Sequence, residues 1–109
     1  HSLSERIERA ARELPEAELT VAALAVRCGV SERSLLRHFR QHYGAGAQAW
    51  LQQRRVERAC ALLESTLLSL DEVVERCGYS DVASFRKLFK RQTSLTPTEW
   101  RTRFRLRAA

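Results

Sequence analysis

Apolar residues recur every three or four positions through most of this 109-residue chain, the period of an α-helix with one buried face. Leu3, Ile7, Ala11 and Leu14 form the first stripe, opened by Ser2 and Glu5 at capping-box spacing and ended by Pro15. Val21, Leu24 and Ala25 follow Thr20 as a short second stripe, and Leu35 and Phe39 mark a third helix over 32–43. Trp50, Leu51, Val56, Ala59, Leu62 and Leu63 lie along one long helix from Ala47 to about Ser65. A box at Ser69–Glu72 opens a short helix with Leu70, Val73 and Val74 inward, reaching to about Cys77. Phe85 and Phe89 mark the next helix, and Thr96-Pro97-Thr98-Glu99, a box with proline at the first helical position, opens the last, with Trp100 and Phe104 on it. The pattern predicts an all-α chain of seven helices without strands.

Two of these segments repeat. "VRCGVS" at Val26–Ser31 returns as "ERCGYS" at Glu75–Ser80. Leu19, Thr20, Val21, Leu24, Arg27, Cys28, Gly29 and Ser31 align with Leu68, Ser69, Leu70, Val73, Arg76, Cys77, Gly78 and Ser80. After one extra residue near Asp81, Ser34, Leu35, Arg37, Phe39, Arg40 and Trp50 meet Ser84, Phe85, Lys87, Phe89, Lys90 and Trp100. The unit is duplicated: a capped short helix, a glycine turn, and a second helix capped by Ser31 in one copy and by Ser80 or Asp81 in the other. That is a helix-turn-helix. The glycine supplies a left-handed turn, and the cysteine packs beneath it. The expected division is a first subdomain over 1–46, a linking helix over 47–66 and a second subdomain over 67–109, with the breaks at Pro15 and Gly44-Ala45-Gly46 as turns inside one domain.

Composition narrows the chemistry. Ala, Leu, Arg and Glu dominate, glycine and proline are few, and no apolar run is long enough to span a bilayer, so no membrane role is expected. The three cysteines, at 28, 60 and 77, have no metal-site spacing and read as thiols in a reducing, cytoplasmic setting; no cofactor is implied. Methionine is absent, so the chain reads as a piece of a longer protein, with a partner domain preceding it. The net charge of +6 is unevenly spread. Residues 33–58 hold six basic side chains against one acidic, and residues 86–109 eight against one, while 1–32 and 59–85 are net acidic. Two basic blocks, each containing a second helix of the motif, suit a polyanion touched twice.

With Leu35 and Phe39 buried, a turn of 100° per residue points Arg33, Arg37 and Arg40 outward, with Ser34 and Gln41 beside them. With Phe85 and Phe89 buried, Ala83, Ser84, Lys87, Lys90 and Arg91 face out. Such a helix enters the major groove, where guanidinium groups pair with guanine and flanking cations and helix N-termini hold phosphates. Each residue has a plainer reading as well. Arg33 and Arg37 could be solvated, His38 a partly packed neutral ring, His42 a surface residue, and Trp50 and Trp100 core anchors. Leu36 lies at the stripe's edge, either packed or facing a thymine methyl.

Over residues 3–104 the chain resembles the DNA-binding domain of AraC/XylS-family bacterial transcription regulators. The resemblance rests on "LTVAALAVRCGVSERSLLRHF", "RRVERACALLE" and "LSLDEVVERCGYSDVASFRKLFKRQTSLTPTEW". It implies two helix-turn-helix subdomains joined by a rigid helix, reading neighbouring major-groove segments of a double-stranded DNA operator. Base readers carried over by position are Arg33, Leu36 and Arg37, then Val82, Ala83, Ser84 and Lys87. Ser31, Ser34, Arg40, Arg86, Lys90, Arg91 and Thr98 are the candidates for phosphate contacts. Further implied partners are an N-terminal effector or dimerisation domain and RNA polymerase; "SERSLLRHF" and "GYSDVASFRKLFKRQT" are similar to the subgroup whose N-terminal domain resembles glutamine amidotransferases. Two departures stand out. Gly44-Ala45-Gly46-Ala47 replaces the family's Gly-x-x-Pro turn, which implies a looser loop, and the second reading helix opens with small and apolar residues, which implies weaker discrimination.

Other classes make different demands. A nonspecific nucleic-acid or nucleoid-associated protein needs basic charge without two matched readers. An enzyme resembling the alkylation-repair methyltransferases needs a cysteine zinc site, and neither that, a Cys–His pair nor a phosphate loop is present in the sequence. A protein-docking helical bundle would bind no duplex at all.

Overall fold

The computed structural model describes residues 2–105; the outermost ends of the expected subdomains, residue 1 and residues 106–109, lie outside the described residues. Among the described residues there are seven α-helices and no strand, as the apolar period predicts. They are α1 (Leu3–Glu13), α2 (Val21–Cys28), α3 (Glu32–His42), α4 (Ala47–Ser65), α5 (Leu70–Arg76), α6 (Val82–Thr93) and α7 (Pro97–Phe104). One 3-10 turn, Glu16–Glu18, follows Pro15. The chain divides between Gln52 and Gln53, inside α4, into two compact units, each with its own apolar cluster.

In the first unit, Ile7, Leu24, Leu35 and Phe39 are fully buried, with Cys28, Trp50 and Leu51 close around them. The Phe39 and Trp50 rings lie 5.2 Å apart, so the start of α4 closes the core over α3. In the second unit, Val73, Cys77, Phe85 and Phe89 are fully buried, and Trp100 of α7 meets Phe89 at 5.9 Å, edge to face. The paired tryptophans are core anchors. Trp100 also donates its indole N–H to Glu64 at 3.0 Å, and Arg101 donates to the Leu63 and Thr66 carbonyls, satisfying the open C-terminal end of α4.

The two turns match bond for bond. Gly29 has φ +69° and Gly78 φ +84°, the region open to glycine without a Cβ clash. Gly29 N–H donates to Val26 and Val30 N–H to Ala25; Gly78 N–H donates to Glu75 and Tyr79 N–H to Val74. Both are Schellman closures. The apolar residue after each glycine, Val30 or Tyr79, packs on its own core. Beneath the turns Cys28 and Cys77 are buried, the packing role expected of them. Thr20, Ser31, Ser69 and Thr96 each accept the N–H three residues on, and α7 has the complete box, in which the Thr96 N–H donates back to the Glu99 carboxylate. Of the two candidates for capping α6, the cap is Asp81.

The duplication also reaches further back than the glycine motif. Ile7, Ala10 and Ala11 of α1, with Leu14 capping its end, stand 49 residues before Val56, Ala59, Cys60 and Leu63 of α4, and both sets pack on their unit's core. Helix α4 therefore has two parts in the repeat. Its first half matches α7, and its second half matches α1.

The repeat is uneven where α3 and α6 end. Gly44 has φ +65° after α3, and Ser94, 50 residues on, has φ +69° after α6, where its Cβ is strained. Ser94→Gly is expected to stabilise the domain by about 0.5–1 kcal/mol. The measurement is a higher urea midpoint at unchanged slope, with Gly44→Ser moving the midpoint the other way.

Candidate nucleic-acid interface

Helix α3 buries Leu35 and Phe39 completely, and these two side chains, one turn apart, set its rotation. Arg37 then points directly away from the core, with Arg33 and Arg40 to either side, and all three are exposed. Leu36 is 36% exposed and stands outside the core cluster, so it belongs to the outward face. The helix begins at Ser31, whose Oγ accepts the Ser34 N–H at 3.1 Å and lies 3.0 Å from the Ser34 hydroxyl. Ser31 is exposed and Ser34 half-buried.

Helix α6 repeats this with a heavier inner face, burying Phe85, Leu88 and Phe89. Ala83, Ser84, Arg86, Lys87, Lys90 and Arg91 are exposed. Val82 is half-buried and packs partly on the core, so only part of its side chain faces outward. Thr98 is apart from this set, exposed in the first turn of α7 beside buried Pro97.

Asp81 is the residue the sequence reading treated only as a cap. Its Oδ1 accepts the Ala83 N–H at 3.0 Å and the Ser84 N–H at 3.4 Å, while Oδ2 accepts the Ser84 hydroxyl at 2.7 Å. These bonds to Ser84, chiefly the hydroxyl's, then the Ala83 N–H and the charge of Lys87, hold the Asp81 carboxyl below its ordinary range. The signal was present in the sequence as Asp three residues before Ser, but several caps shared that look.

His38 is half-buried. Its Nε2 lies 2.9 Å from Ser4 Oγ, and its ring stacks on His42 at 4.3 Å. Partial burial, then the neighbouring His42, lowers its pKa, which keeps the ring neutral near pH 7. Arg6 donates to the Cys28 carbonyl at 2.6 Å, holding α1 against the end of α2 beneath α3.

The helix-turn-helix domain family matches residues 24–103, nearly three quarters of the chain. The chain belongs to the AraC-type helix-turn-helix family of transcription-regulator DNA-binding domains. The HTH-type transcriptional activator RhaR of Enterobacter sp. (strain 638) is 40% identical over 75 residues, covering 69% of this chain and 27% of that protein. The xylose operon regulatory protein of Escherichia coli (strain K12) is 34% identical over 73 residues, covering 67% of this chain and 19% of its own length. The chain thus spans about a fifth to a quarter of the length of these relatives. Among solved structures, the DNA-binding domain of the global transcriptional factor AdpA, in complex with a target DNA, superposes with TM-score 0.78 at 34% identity, covering 94% of this chain and 91% of that one. A transcriptional regulator from Chromobacterium violaceum with an AraC-type DNA-binding domain gives TM-score 0.78 at 30% identity over 92% and 93% of the two chains.

An AraC-type domain is a DNA-binding domain and not an enzyme. Its three cysteines are thiols, and no cluster of three or more metal-ligating side chains occurs among the described residues. No helix among those residues is long and apolar enough to cross a membrane. Burial raises the Cys28 pKa, and burial with the charges of Glu64 and Glu57 pushes the Cys60 thiol up to about 11 from 9.0. The thiolate fraction of Cys60 at pH 8 is then roughly a hundredfold below that of an ordinary cysteine. Native protein at pH 8 is expected to resist iodoacetamide, with all three thiols labelling in urea; rapid single labelling of the folded domain, read by mass spectrometry, would contradict this.

Proposed function

We propose that the domain recognises a specific double-stranded DNA operator by inserting α3 and α6 into the major groove, so that one chain supplies two readers. Arg33, Leu36 and Arg37 read bases from α3, and Val82, Ala83, Ser84 and Lys87 from α6. Ser31, Ser34, Arg40, Arg86, Lys90, Arg91 and Thr98 face the phosphates. One observation carries this reading: both second helices bury an apolar pair four residues apart and turn an exposed, cationic face away from it. Arg37 opposite Leu35 and Phe39 is placed for bidentate pairing with guanine O6 and N7. Lys87 holds the equivalent place on α6, with small Ala83 and Ser84 letting the helix backbone come close to the bases.

The intact protein is a bacterial transcription regulator of the cytoplasm, in which a preceding domain senses an effector or dimerises and bound domains engage RNA polymerase. The short share of its relatives that this chain covers supports a further domain. Sequence preference separates this function from a nonspecific nucleoid protein. Phosphate contacts give salt-dependent affinity for any duplex, whereas base contacts give a ratio between duplexes.

Arg37→Ala is expected to weaken binding to the best sequence from a randomised duplex library by about 1–3 kcal/mol and to relax preference at one or two base pairs. Affinity for random duplex should change much less. Equal losses on both, measured by fluorescence anisotropy at fixed salt, would show that Arg37 touches only phosphate.

A further inference from the structure

A serine hydroxyl is an ambiguous reader of bases, because it can donate one hydrogen bond or accept others. On α6 that ambiguity is removed. Ser84 Oγ lies 2.7 Å from Asp81 Oδ2, and a carboxylate has no proton to give, so the hydroxyl proton must point at Asp81. The polarity follows from chemistry and not from the placement of a hydrogen atom. The carboxylate is itself held in position by the Ala83 and Ser84 amides on Oδ1. Ser84 remains exposed, and its hydroxyl oxygen keeps its lone pairs as acceptors.

The first unit lacks this device. At the matching cap stands Ser31, whose hydroxyl lies 3.0 Å from the Ser34 hydroxyl. Either of those two hydroxyls can donate to the other, so the pair can reverse, and Ser34 keeps the ability to donate outward to a phosphate or a base.

We infer that Asp81 is a positioning residue for sequence recognition: by holding the Ser84 proton it makes Ser84 an obligate acceptor, so that α6 selects a base offering an exocyclic amino group, adenine N6 or cytosine N4, at the contacted position. This rests on the reading of α6 as a major-groove helix. Guanine O6 and thymine O4 are acceptors, and each would face a lone pair of Ser84 without a proton between them. The domain therefore discriminates amino from keto bases at that position using an outward hydroxyl that makes only one bond to DNA. Asp81 itself touches no base.

The test compares the domain with Asp81→Asn and Ser84→Ala by selection from a randomised duplex library, followed by competition binding on the best duplex with the contacted pair inverted. Asparagine caps a helix about as well as aspartate, so the Asn variant retains its fold, checked by its melting transition. Its side-chain amide donates to Ser84 Oγ, which frees the hydroxyl proton to point outward. The intact domain is expected to favour adenine or cytosine at one position by about 3- to 10-fold, the worth of a single net hydrogen bond. Asp81→Asn should shift that preference toward guanine or thymine, and Ser84→Ala should abolish it. A purely structural cap would lower affinity for all sequences together and leave the preference in place. Selective binding with the same base preference in all three proteins overturns the role of Asp81 and Ser84 while leaving the DNA-binding function intact. Failure of all three to bind any duplex at low salt overturns both.

Discussion

Burial of one apolar pair on each of α3 and α6 constrains everything else in this domain. Leu35 and Phe39 on α3, and Phe85 and Phe89 on α6, have no solvent exposure at all. Removing such side chains from water contributes on the order of 1.5–3 kcal/mol each, far more than any exposed contact of the arginines and lysines opposite. The helices cannot rotate without exposing these pairs. The cationic faces are in this sense consequences of the core, and the proposed readers other than Val82 are residues left outside it.

The supporting helix and its turn serve that same constraint. Cys28 and Cys77 are buried in the two cores under the turn. The paired Schellman closures then set where that helix begins, and the Ser31 and Asp81 caps satisfy its first amides. Two copies of one solution occur with different side chains, which separates what the geometry requires from what varies. Left-handed glycine after the cysteine, a capping oxygen, and inward apolar residues four apart are common to both. The cap's charge, the residue after the second helix and the size of the inner face differ.

The helices were legible because their period, caps and breaks are local. Ala47–Ser65 emerged with the bounds its pattern predicts, and so did the box at Thr96–Glu99. The outward placement of Arg33, Arg37 and Lys87 followed from rotation about the Leu35–Phe39 and Phe85–Phe89 anchors. The part of the duplication that lies before the glycine motif was harder to see. Ile7 against Val56 and Leu14 against Leu63 share character and not identity, and α4 has a double part that no linear alignment of one motif reveals. The standing of Leu36 was likewise open, since it lies at the edge of a stripe, where neighbouring helices decide the exposure; Val82, expected among the readers, is half covered by the core.

The sequence by itself determined the class of fold, the repeat, the turns and the rotational phase of α3 and α6, because these depend on contacts within a few residues and on a large difference in burial energy. The tertiary structure alone decided which edge residues stay in water, that Leu36 faces outward and Val82 is half covered, that α4 belongs to both units, and that α6 is capped by a carboxylate bonded to Ser84. These depend on atoms brought together by packing, and on a choice between Ser80 and Asp81 that local propensity leaves nearly equal. A few tenths of a kcal/mol separate such caps in isolation. Once Val73, Cys77 and Phe85 are packed, the path of the chain through Gly78 leaves Asp81 as the residue in place.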